Sequence, residues 1–93
     1  MLIIKIEKEN ENVLNVNTFK RDLDGNDTQK YNETVIKQIK YFFSDCEYNN
    51  ITHGWRVWYS EINLANFQNY LTRKFPGNIK FVIRGKNDER SGI

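Results

Sequence analysis

Cys46 and His53 are the single thiol and the single imidazole of the chain. Brought within reach of each other, two such groups make a nucleophile and its base. Cys46, however, falls in line with Tyr31, Val35, Ile39, Phe42 and Phe43 at helical spacing, where a thiol acts as a small buried hydrophobe. His53 lies in a polar stretch before Gly54. The pair has no recognisable orienting group or oxyanion donor, and two residues are too few ligands for a zinc site. Gly25, Gly54, Gly77, Gly85 and Gly92 stand apart, and none opens a helix directly after a strand, so there is no phosphate-cradling loop. Asp45, Glu47 and Glu61 sit at expected helix ends, where carboxylates are solvated or capping groups. These residues predict a protein that is not an enzyme and holds neither cofactor nor metal.

The segment from Asp22 to Glu33 resembles an EF-hand calcium loop, with oxygen-bearing side chains at its first, third and fifth positions (Asp22, Asp24, Asn26) and Glu33 at its twelfth. The resemblance implies a calcium-dependent module. Position six is Asp27 where the motif needs Gly, and position eight is Gln29 where it is apolar, while the preceding residues read as strand. An acidic turn that caps a helix from Asp27 or Thr28 accounts for the same residues.

Ninety-three residues suffice for one domain and one core. Two Trp, five Tyr and six Phe supply its bulk. The formal charge of +2 is dispersed, which disfavours an acidic mimic of DNA and leaves nucleic-acid binding open. A lone cysteine fits a reducing compartment, and the opening Met-Leu-Ile-Ile is broken at once by Lys5, Glu7 and Lys8, so the expectation is a cytoplasmic protein. Abundant Asn, Lys and Ile beside a single Ala65 suggest an AT-rich coding sequence, as in a low-GC bacterium or its phage.

The elements that must position any site follow from periodicity. Leu2, Ile4 and Ile6 alternate with Lys5 and Glu7 as a strand, and alternation resumes from Val13 to Phe19 after a polar turn, so a hairpin opens the chain. A helix is expected over about 28–46. Trp55 to Tyr59 reads as a strand, Glu61 to Lys74 as a helix capped by Ser60, Pro76-Gly77 as a stop, and Ile79 to Arg84 as a final strand. Strand, helix and strand from Trp55 onward form a βαβ unit with parallel strands. The expected architecture is a small α+β domain over 1–85, in the order β-β-α-β-α-β, with a four-stranded mixed sheet, two helices on one face and a polar tail at 86–93.

Alternation then assigns the faces. With Leu2, Ile4, Ile6, Leu14, Val16, Trp55, Val57, Tyr59, Ile79, Phe81 and Ile83 toward the helices, the other face carries Lys5, Asn15, Asn17, Phe19, Arg56, Trp58, Lys80, Val82 and Arg84. Arg and aromatic residues are favoured anchors of protein interfaces. The expected function is a non-catalytic protein-interaction or inhibitor module of phage or mobile-element origin, docking through Arg56, Trp58, Lys80, Arg84, Phe19 and Lys5. A single-stranded nucleic-acid binder using the same face is the alternative, with bases stacked on the aromatics. A protein partner is expected first, nucleic acid second, no membrane, and self-association remains open.

Overall fold

The computed structural model describes residues 1–85, so the expected tail at 86–93 lies outside the described residues. The chain forms a small α+β domain with two helices and a mixed sheet. In chain order the elements are β1 (Leu2–Lys8), β2 (Val13–Arg21), β3 (Asp27–Gln29), α1 (Glu33–Phe42), β4 (Asp45–Asn49), β5 (Gly54–Trp58), α2 (Glu61–Lys74) and β6 (Ile79–Gly85). The sheet has six strands, not four, in the spatial order β4-β5-β2-β1-β6, with β3 paired to the far end of β2.

Both additional strands overlap the ends of the segment expected as one long helix over about 28–46. Asn32 caps α1, its side-chain oxygen accepting from the Val35 N–H, so the helix starts after the residues expected to begin it. Ahead of that cap, Asp27, Thr28 and Gln29 pair with Arg21, Lys20 and Phe19. Beyond Phe43 the backbone is extended, and Asp45 to Asn49 pairs antiparallel with β5. Cys46 therefore sits on a strand, and Tyr31 is exposed instead of joining the helical stripe.

The first hairpin, α2 with its Ser60 cap, and the last strand stand where periodicity puts them. β5 runs parallel to β6, because β5 is antiparallel to β2, β2 to β1, and β1 parallel to β6. The two strands of this βαβ unit are not neighbours; β2 and β1 lie between them, and α2 spans the gap.

Core contacts confirm the assigned parity. Ile4, Ile6, Leu14, Val16 and Val57 are buried with Val35, Ile39 and Phe43 of the first helical segment and Leu64, Phe67 and Leu71 of α2. Each such side chain contributes on the order of 1.5–3 kcal/mol by leaving water. Phe67 meets Phe43 at 5.2 Å and Phe42 at 6.3 Å between ring centroids, joining the two helices over the sheet. Ile83, expected inside, is half-exposed at the outer edge.

Candidate functional site

The face away from the helices is polar but not bare. β5 pairs with β2 only from Val13 to Val16, and β3 takes over from Phe19 to Arg21, which leaves a gap in the ladder at Asn17 and Thr18. The Lys30 N–H still donates to the Thr18 carbonyl at 3.1 Å, and side chains close the rest. Asn17 Nδ2 and Gln29 Nε2 both donate to the Thr52 carbonyl, at 2.9 and 2.8 Å, and the Thr18 hydroxyl donates to the Lys30 carbonyl at 2.5 Å. The loop between β4 and β5 is thereby tied down onto the sheet. Asn49 Oδ1 accepts from the N–H groups of Ile51 and Thr52, and His53 takes a left-handed backbone, φ 57°, to finish the turn.

Beside this tie lies a recess of about 530 Å³, lined by Lys5, Glu7, Asn15, Asn17, Asn49 and Arg84 together with the apolar Phe19 and Val82. Of the residues expected to bind a partner, Lys5, Phe19 and Arg84 line it; Arg56, Trp58 and Lys80 share the open face without lining it. The sequence already placed Asn15 and Asn17 on this face. Asn49 and Thr52 belong to the β4–β5 hairpin, where the sequence shows a polar stretch before Gly54. Its signal was present in Asp45-Cys46-Glu47-Tyr48-Asn49, which alternates polar and apolar residues.

Most cations of the face already have carboxylate partners. Arg56 donates to Glu9 Oε2 at 2.9 Å through Nη2 and at 3.1 Å through Nε, and lies 3.4 Å from Glu47. The Glu9 hydrogen bonds raise the guanidinium's already high pKa. Its plane also covers Trp58, 4.8 Å from the ring centroid. Arg21 forms a two-pronged pair with Asp27, at 2.7 and 3.0 Å, and Lys5 reaches the same carboxylate at 3.3 Å while lying 4.3 Å from the centre of the Phe19 ring. The Arg21 hydrogen bonds chiefly, with help from Lys5, hold the Asp27 carboxyl down at about 2. Lys80, Arg84 and Asp45 make no ion pair among the described residues.

The chemistry-bearing motifs are not assembled. Cys46 packs against the core from β4, while the His53 Nδ1 pairs with the Tyr48 hydroxyl at 3.2 Å; no hydrogen bond joins thiol to imidazole among the described residues. The calcium-like segment is a hairpin turn: Asp22 Oδ1 accepts from the Asp24 and Asn26 N–H groups, Asp27 serves Arg21, and Glu33 pairs with Lys37 within α1. Two of its four would-be ligands, Asp22 and Glu33, serve separate tasks, so the calcium-dependent reading is set aside. No described helix is long and apolar enough to cross a membrane.

No protein-family model and no curated protein sequence matches the chain. Among solved structures it is similar to the essential ribosomal processing protease Prp from S. aureus, solved with a covalently linked product peptide, at 8% identity and a TM-score of 0.47, over 90% of this chain and 100% of that one. This comparison corrects three expectations: that the chain is a non-catalytic interaction or inhibitor module, that it is no enzyme, and that it is of phage or mobile-element origin. The matched protein is a protease. At that identity and score the likeness gives no residue of this chain a role.

Proposed function

We infer that the recess on the open face receives a short extended peptide segment. The carrying observation is the lining itself. Asn15 offers a donor and an acceptor together, as a peptide's alternating N–H and C=O groups require, while Asn17 and Asn49, whose Nδ2 and Oδ1 already hold the β4–β5 loop, add their remaining polar atoms to the lining. Glu7 and Arg84, opposite each other on β1 and β6, suit the ammonium and carboxylate groups of such a segment. Phe19 and Val82 supply apolar contact, and a volume of about 530 Å³ lies within the usual range of roughly 300–1,000 Å³ for ligand sites.

A polyanion is less well served. Nucleic acid gains affinity when free cations displace its counterions, and Arg56, Arg21 and Lys5 are held by carboxylates. The single thiol supports a reducing, cytoplasmic setting.

Titration of the isotope-labelled protein with a pool of unstructured hexapeptides tests the reading by amide chemical shifts. Perturbation at Asn15, Asn17, Thr52 and Arg84, lost when Glu7 and Asn15 are both changed to Ala, supports it. Shifts confined to the helical face would overturn it, and salt-sensitive binding of oligothymidine without peptide binding would move the ligand to nucleic acid.

A further inference from the structure

The sheet ends in two strands whose outer edges are unpaired by any other strand among the described residues: β4 on one side and β6 on the other. Their charges are opposite. On the open face β4 carries Asp45 and Glu47, and β6 carries Lys80 and Arg84, all exposed. On the helical side β4 carries Cys46 and Tyr48, and β6 carries Phe81 and Ile83, with Tyr48 49% and Ile83 40% exposed. We propose that β6 of one copy of this chain pairs with β4 of a second copy, extending the sheet head to tail.

Direction and register agree with this pairing. β4 is antiparallel to β5, which runs parallel to β6, so two copies in one continuous sheet present β6 and β4 antiparallel. The Leu2 N–H donates to the Asn78 carbonyl, which in a parallel ladder turns the backbone groups of Lys80, Val82 and Arg84 toward β1 and those of Phe81 and Ile83 outward. The Tyr59 N–H donates to the Asn12 carbonyl, which turns the odd residues of β5 toward β2 and the even ones toward β4; Cys46 and Tyr48 are left facing outward.

Placing Ile83 opposite Cys46 and Phe81 opposite Tyr48 satisfies those outward groups. The same register sets Arg84 opposite Asp45 and puts Glu47 diagonally between Lys80 and Arg84, with apolar pairs on the helical side. Edge charges commonly suppress unwanted pairing. Here they repel like edges, β6 with β6 or β4 with β4, and attract unlike ones. Because the contact is heterologous, it either closes into a ring or continues.

Sedimentation velocity on the full chain at low salt, from micromolar to millimolar, is the test. The expected result is a mass that rises at least twofold over 11.2 kDa with concentration and falls back with added salt. Arg84→Glu and Asp45→Lys, each checked for folding by circular dichroism, should each stay monomeric. Mixed in equal amounts they should associate again, since each then offers its altered edge to an edge of opposite charge. A wild-type chain that stays monomeric throughout, or an Asp45→Lys variant that associates as wild type does, would overturn the pairing. So would two monomeric variants that fail to associate on mixing.

Discussion

The carboxamide of Asn17 occupies the space that a Cβ on Gly54 would need, and its Nδ2 donates to Thr52 two residues earlier in that loop. Gly54 is thus fixed by a neighbour across the sheet, not by its own backbone angles. Gly54→Ala should destabilise the domain by about 1–3 kcal/mol, the usual cost of forcing extra volume into a packed place. In an Asn17→Ala background the same change should cost at least ~1 kcal/mol less, because residues in contact do not contribute additively. Urea unfolding of the four proteins measures the coupling, and additive costs would show that the two side chains do not compete.

Asp27 gives a pH signature. The Arg21 and Lys5 contacts hold its folded carboxyl at about 2, below the ordinary carboxylate value of 3.8, so the unfolded chain binds the proton more readily. The stability this provides is fully present above the unfolded value and is lost as pH falls from near 4 toward 2. Asp27→Asn should therefore be less stable than wild type at pH 6, and the difference should shrink across that window and vanish below it. Thermal melts of both proteins at pH 6, 4, 3 and 2 check the sign.

The two faces of the sheet should answer substitution differently. Phe67 is fully buried between the helices and the sheet, and Phe67→Ala should cost about 3–5 kcal/mol. Trp58, 39% exposed and covered on one side by Arg56, should cost no more than about 1 kcal/mol on change to Ala, the scale of an exposed cation–π contact. Denaturant midpoints decide it, and an equal loss at both positions would mean that the open face carries core weight.

What could be read from the sequence follows the range of the forces involved. Alternation in β1, β2, β5 and β6 is a local pattern, and it placed Lys5, Phe19, Arg56, Trp58, Lys80 and Arg84 on the correct side of the sheet. β3 could not be found that way. Asp27-Thr28-Gln29 has no apolar residue, and it is a strand only because β5 leaves the far end of β2 without a partner. β4 was masked by a coincidence of spacing: Val35, Ile39, Phe42 and Cys46 continue a helical stripe across a real helix end at Phe43. The same long-range pairing brings Glu9 and Glu47 onto Arg56, residues distant in sequence whose charges alter what the face can bind.

The helix boundary that misled the periodicity is itself measurable. If α1 starts at Glu33, the Asn32 side chain supplies a partner for an otherwise unpaired N–H of the first turn, and Asn32→Ala should cost about 0.5–2 kcal/mol. Thr28, exposed on the three-residue β3, has no such duty, and Thr28→Ala should change stability by no more than about 0.5 kcal/mol. A helix beginning at Thr28 reverses the order of the two effects. The comparison therefore distinguishes β3 as a strand from residues 27–29 as the start of α1 by two unfolding curves, without reference to any ligand.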